Sequence, residues 1–277
     1  MVELTVYAGL AGDRNCRGMA GAIGLGALLG QTIDVAARTV GAPAAPVPGG
    51  WADQLRAARP GLRRLAAAID AILAAGRRPL TTMGRCAAAL ATLPVIARYH
   101  PDAAIVWFDA HGDSNLPAGR PDGSYLGGMV LTGAAGGWDT DLGSGLDLAN
   151  VVLVGSRDLD PAERELVRRG TLALVEAGPE LPARLRRAVA GRAVYVHIDC
   201  DVLDPGLVPT EYQVPGGLTL DDLAAACAAL AEGELIGIEI AEFEYPFQAH
   251  GAGDRGVIVV LVVGQSGIRR RAIDAVR

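Results

Sequence analysis

The chain has 277 residues and a formal charge of −6, with 25 basic residues that are all Arg set against 31 acids. A chain without Lys excludes Schiff-base chemistry, pyridoxal phosphate attachment and the phosphate-loop Lys. Its basic runs do not extend beyond short Arg clusters such as 268–271, which argues against a nucleic-acid partner. Hydrophobic residues make up 51% and aromatics 4%, so the expected core is closely packed and aliphatic, within one domain spanning 1–277.

The N-terminus lacks a basic region followed by a long apolar run. The most apolar stretch, Val257 to Val263, is far shorter than the ~20 residues that a bilayer requires. A cytoplasmic protein with no membrane partner is expected. In chain order, short β-branched runs at 2–7, 104–109, 151–154, 172–175, 194–199, 235–240 and 257–263 predict strands. Helical patterns at 52–75, 161–169 and 220–231 alternate with several of them, the rhythm of a parallel sheet flanked by helices. The segment 41–50 (GAPAAPVPGG) reads as a surface loop, and 112–150 as a long Gly-rich loop of the kind that carries function. Thr219, Asp221 and Asp222 mark the start of the last helix and Gly233 its stop, with Cys227 on the core face. Cys16, Cys86, Cys200 and Cys227 show no paired spacing, so buried thiols are expected rather than a disulfide framework.

Two acidic motifs carry the chemistry. DAHGDSN at 109–115 follows the strand AAIVWF, and period-two alternation would put Asp109, His111 and Asp113 on one face. Alone, this motif is equally an Asp-rich turn or cap. VYVHIDCDVLDP at 194–205 ends a second apolar strand with Asp199 and Asp201, again two apart. Carboxylates buried side by side are costly unless a cation lies between them. Four Asp donors and an imidazole suit hard divalent ions, Mn²⁺ before Zn²⁺, and the donor count favours a pair of ions.

Together with PGGLT at 215–219 and GIEIAEFE at 237–244, these motifs resemble the ureohydrolases: arginase, agmatinase, formiminoglutamase and relatives. The resemblance implies a three-layer α/β/α sandwich around a central, mostly parallel sheet, with a binuclear manganese site. It implies Asp109 and Asp199 as bridging ligands, His111 and Asp201 on one ion, and Asp113 on the other, where it would also serve catalysis. Asn115, Asp160 and Glu163 match positions that hold the α-carboxylate and α-ammonium of an amino acid, although Asp160-Pro161 and Glu163 equally make an ordinary helix start. Glu242 matches the Glu that binds the guanidinium, while Glu239 orients its strand. The implied partner is a small arginine-like substrate, with a homo-oligomer permitted.

Two departures bear on the substrate. Counting back twenty-five residues from His111, the first His ligand of a GGDHS-type turn falls on MGRCA, where Cys86 stands. Cys86 is then either an inert thiol beside a lost metal or a thiolate ligand; the Met83-Gly84 turn after a strand favours the ligand. Sulfur there would weaken the preference for Mn²⁺ and invite Zn²⁺ or partial occupancy. The loop His that shuttles protons in arginases is Gly127 here. His197 would lie behind the metals or be a satisfied core residue. These departures argue against ordinary arginase, and a Cys on an otherwise arginine-like pocket resembles the members of the family that serve antibiotic biosynthesis, which implies an Nω-hydroxylated arginine cleaved to ornithine and hydroxyurea. Ordinary arginase or agmatinase, or a binding protein that has lost catalysis, are the alternatives.

Overall fold

The computed structural model describes residues 1–117 and 125–245, so the strand expected at 257–263 and the Arg cluster at 268–271 lie outside the described residues. Eight strands are described: β1 (Val2–Tyr7), β2 (Ala37–Val40), β3 (Arg78–Met83), β4 (Ala104–Phe108), β5 (Val151–Val154), β6 (Ala173–Val175), β7 (Val194–Asp199) and β8 (Leu235–Ala241). They form one sheet in the order β2-β1-β3-β8-β7-β4-β5-β6, and every pairing is parallel. Its central strands are buried along nearly their whole length because both faces are covered.

The alternation of β4 shows how the layers arise. Ile105 and Trp107 enter one core with Leu55, Leu62, Leu65 and Leu90, whereas Ala104, Val106 and Phe108 enter a second with Leu25, Leu29, Leu185 and Leu223. The first core packs α2 (Trp51–Ala74), α3 (Ala89–Tyr99), α4 (Val130–Ala134) and α5 (Pro161–Arg168) against one face. The second packs α1 (Arg17–Ile33), α6 (Leu181–Val189) and α7 (Leu220–Leu230) against the other. The expected α/β/α sandwich is therefore present.

Local signals set the ends of elements. Thr219 caps α7: its Oγ1 accepts the Asp222 N–H at 3.1 Å and Asp222 Oδ2 accepts the Thr219 N–H at 3.0 Å. Residues 41–50 form neither helix nor strand and are largely exposed. The segment 112–150 is more structured than a loop: outside 118–124, which lie beyond the described residues, it contains α4 and buries Leu126, Met129, Val130 and Leu131 in the first core. Its glycines hid those apolar anchors. Cys86, Cys200 and Cys227 are buried while Cys16 is exposed, and none of the four is in a disulfide. Among the described residues no helix is long and apolar enough to cross a membrane.

Candidate active site

The four central strands, β3, β8, β7 and β4, all end at one edge, and the residues that follow them meet there. Cys86 comes just after β3, Glu242 follows β8, Asp199 closes β7 and Asp109 follows β4. Carboxyl ends of parallel strands are where open α/β sheets build ligand sites. Two of the converging residues, Asp113 (φ 43°) and Glu242 (φ 61°), adopt the left-handed backbone that non-glycine residues rarely take. Such strain persists where surrounding contacts fix a side chain for a task.

Two groups of potential metal ligands lie side by side. Cys86, Asp109 and Asp199 form one and Asp109, His111 and Asp201 the other, with the ligand atoms within each group no more than 4.8 Å apart. Asp109 belongs to both. Asp113 lines the cavity beside them but lies outside both groups. Backbone and ring donors set the carboxylate orientations. Asp109 accepts the Trp107 indole N–H at 2.9 Å and the His111 N–H at 2.7 Å; Asp199 accepts the Asp201 N–H at 2.7 Å, and Asp201 the Ala110 N–H at 3.0 Å. The second oxygen of Asp201 is buried and accepts no hydrogen bond, although His111 Nδ1 is 3.1 Å away.

The charges here are unbalanced. Burial, and then Asp109, pushes both Asp113 and Asp201 upward in pKa. Burial and the neighbouring Asp201 and Asp109 do the same to Asp199. Burial also works to raise Asp109, but the hydrogen bonds and charge of His111 hold it below the ordinary carboxylate value. For His111, burial opposes protonation, yet the carboxylates of Asp109 and Asp201 beside its ring win and push it up to about 12. An orphaned carboxylate oxygen, four crowded acids and an imidazole that can give up its proton together fit divalent cations.

Behind the ligands, sheet register aligns Trp107, His197 and Glu239 across β4, β7 and β8. The Trp107 and His197 rings stack with centroids 3.5 Å apart. His197 Nδ1 lies 2.8 Å from Glu239 Oε1, and its Nε2 is 3.1 Å from Cys86 Sγ. Glu239 also accepts Thr92 Oγ1 at 2.7 Å and the Tyr195 hydroxyl at 2.8 Å. His197 is thus a satisfied core residue, and its Nε2 meets the Cys86 sulfur from behind. The Cys86 thiol donates to Asp199 Oδ2 at 3.0 Å. Burial and then Asp199 push that thiol well up, so without a cation it stays protonated.

In front of the ligands is a cavity of about 340 Å³, within the ordinary range for a small metabolite. It brings together every residue assigned from sequence to the ligands and the substrate except Asp109, whose carboxylate is covered. Asn115 donates from Nδ2 to Asp160 Oδ2 at 2.7 Å. Glu163 accepts the Ser114 N–H at 2.9 Å and the Asp160 N–H at 2.8 Å, tying the start of α5 to the DAHGDSN segment. Gly112 permits this, since a Cβ there would lie 2.7 Å from the Glu163 carboxyl carbon. The helix-start role of Glu163 is therefore real, alongside its place in the cavity wall.

Sequence reasoning missed the aromatic wall of Tyr125 and Tyr212, which meet at 5.7 Å, with Arg14 4.9 Å over the Tyr125 ring. It also missed Arg85, which is buried and pairs with Glu242 at 2.6 Å. Glu242 accepts the Cys86 N–H through its other oxygen at 2.9 Å, and burial raises its pKa to about 7 against the opposing pull of Arg85. Only the position of Arg85 next to Cys86 hinted at any of this. At Gly127 a Cβ would lie 2.5 Å from the Tyr125 ring, so Tyr125 fills the space into which a side chain at 127 would project.

The model of the Arginase family matches residues 30–261. The Nω-hydroxy-L-arginine amidinohydrolase of Streptomyces lavendulae is 37% identical over 94% of this chain and 95% of its own length. The arginase of Bacillus caldovelox is 31% identical over 66% of each. Among solved structures, arginase of Entamoeba histolytica in complex with L-ornithine superposes with a TM-score of 0.82 over 94% of this chain and 97% of its own, at 20% identity. At that identity the superposition speaks for the fold alone.

Proposed function

The chain belongs to the arginase family of hydrolases that act on amidino carbon–nitrogen bonds, and we propose that its substrate is an N-hydroxylated arginine, cleaved to ornithine and hydroxyurea. The observation that carries this choice is the 37% identity, over nearly the whole of both chains, to a relative named for Nω-hydroxy-L-arginine. A second reading, ordinary arginase, rests on the 31% identity to an arginase over two thirds of the chain.

In this reading Cys86, Asp109, Asp113 and Asp199 would hold one divalent ion, and Asp109, His111, Asp199 and Asp201 the other. Manganese fits the carboxylate and imidazole donors, and the sulfur of Cys86 softens one set toward zinc. Bound there, such ions would supply an activated water and Lewis-acid polarisation near neutral pH. The chain's own residues do the rest. Asp113 takes the proton of the attacking water. Glu242 receives guanidine N–H groups and fixes the carbon to be attacked. Asn115, Asp160 and Glu163 hold the α-carboxylate and α-ammonium. Water adds to the guanidino carbon, the bond to the δ-nitrogen breaks, and a proton passes to that nitrogen as ornithine leaves. With no membrane-length helix among the described residues and no disulfide, the cytoplasm is the compartment we assign.

Parallel assays of Nω-hydroxy-L-arginine, L-arginine and agmatine, with metal per chain measured on the same sample, test the proposal. The hydroxylated substrate should have the highest kcat/KM. Arginine as the best substrate overturns this choice in favour of the second reading.

A further inference from the structure

Arg85 is a permanently charged side chain, 2% exposed, that the hydrolysis above does not use. Four carboxylates surround it: Glu242 at 2.6 Å, Glu244 at 2.9 Å, Glu211 at 3.0 Å and Asp13 at 3.4 Å. Asn15 Oδ1 accepts a further hydrogen bond at 3.2 Å. This cage fixes the guanidinium. It lies behind Glu242, since Glu242 lines the cavity and Arg85 does not. The carboxylate that faces the substrate is therefore already holding a guanidinium through one oxygen and the Cys86 N–H through the other.

We propose that Arg85 determines specificity: by holding Glu242 from behind, it makes the site favour arginine derivatives whose guanidine is weakly basic and binds uncharged. This rests on the reading of Glu242 as the residue that receives the substrate guanidine. A second cationic guanidinium on that carboxylate would sit across a single carboxyl group from Arg85, in a buried setting where screening is weak, while Asp13, Glu211 and Glu244, which pair with Arg85, do not line the cavity that receives the substrate. A neutral guanidine donates the same N–H groups without that repulsion. Oxygen attached to a guanidine nitrogen withdraws electron density and lowers its basicity, so N-hydroxyarginine supplies the neutral form near neutral pH, while arginine stays protonated.

The test compares kcat/KM for Nω-hydroxy-L-arginine, L-arginine and L-canavanine in the wild type, Arg85→Gln and Arg85→Lys. Canavanine has a weakly basic guanidine attached through oxygen but no N-hydroxyl. The wild type should therefore group canavanine with hydroxyarginine. Arg85→Gln should raise arginine relative to hydroxyarginine by about ten- to hundredfold, the size of a hydrogen bond to a charged group. Arg85→Lys keeps the charge and should keep the wild-type order. Each comparison is a ratio on one sample, so a lower folded or metal-loaded fraction does not shift it. An unchanged ratio in Arg85→Gln overturns the proposal, as does a wild type that groups canavanine with arginine. If Arg85→Gln fails to fold, the canavanine comparison and Arg85→Lys still decide. Failure confined to Arg85 leaves hydroxyarginine the best wild-type substrate. If the wild type prefers arginine, or cleaves none of the three, the proposed hydrolysis falls and this inference with it.

Discussion

The thiol of Cys86 sits between His197 Nε2 at 3.1 Å and Asp199 Oδ2 at 3.0 Å, with four acids raising its pKa through their charge after burial itself. Only a nearby cation would make that position favour a thiolate. If Cys86 is a ligand, Cys86→His should increase the manganese bound per chain, because imidazole suits a hard ion held by carboxylates better than sulfur does. The gain in arginine hydrolysis should be smaller, since Gly127 still carries no imidazole and Tyr125 fills its space. Cys86→Ala should lose metal. Unchanged metal content in both variants, read by elemental analysis, would place Cys86 outside the coordination sphere. The position of Cys86 was legible by counting back from His111, and that of His197 from strand alternation. Arg85 was not, because its meaning depends on Asp13, Glu211, Glu242 and Glu244, which the fold brings from distant parts of the chain.

Helices α5 and α7 both begin with an acid three residues beyond the N-cap, yet only α5 points that start at the cavity. The two therefore make a matched pair of tests. Thr219→Ala removes a cap and should cost about 1 kcal/mol of stability with kcat and KM unchanged. Asp160→Ala also removes the partner of Asn115 Nδ2, and should chiefly raise KM for amino-acid substrates, because it is remote from the reacting carbon. Equal KM in wild type and Asp160→Ala would reduce Asp160 to a helix-start residue. Strong periodicity made most elements readable: β1, β5 and β7 begin and end where the sequence places them. Several of the elements that escaped have identifiable reasons. β2 lies at the sheet edge with three of its four residues exposed, so it lacks an apolar run. Helix α3 is buried on all sides from Ala89 to Ala97 and contains Pro94, so it shows neither an amphipathic period nor an uninterrupted pattern. Helix α1 has five glycines and no side-chain cap.

At the scale of the whole molecule, the cluster of raised pKa values couples stability to pH and to metal. His111 is held up at about 12, well above the ~6.5 of an unfolded His. Between those values the folded state keeps a proton that the unfolded state has lost, so His111 stabilises the metal-free fold most below about pH 6.5, and this contribution fades as pH rises. Glu242, raised to about 7, has the same sign over a lower window, down to the 4.5 of an ordinary Glu. Asp113, Asp199 and Asp201 follow it, because each is also raised. Asp109 is shifted the other way, but its window lies below the ordinary carboxylate value of 3.8 and outside the working range. Rising pH therefore weakens the metal-free fold. The same protons must leave before ions can bind, so rising pH strengthens metal affinity, and binding to the folded state adds stability in proportion. The melting temperature of chelator-treated protein should fall between about pH 6.5 and 9, and the gap between it and manganese-loaded protein should widen over the same range. Calorimetry of metal binding in buffers of different ionisation enthalpy should show net proton release. A gap that stays constant or narrows with pH, or binding without proton release, would mean that the ions are not held by His111 and the buried acids.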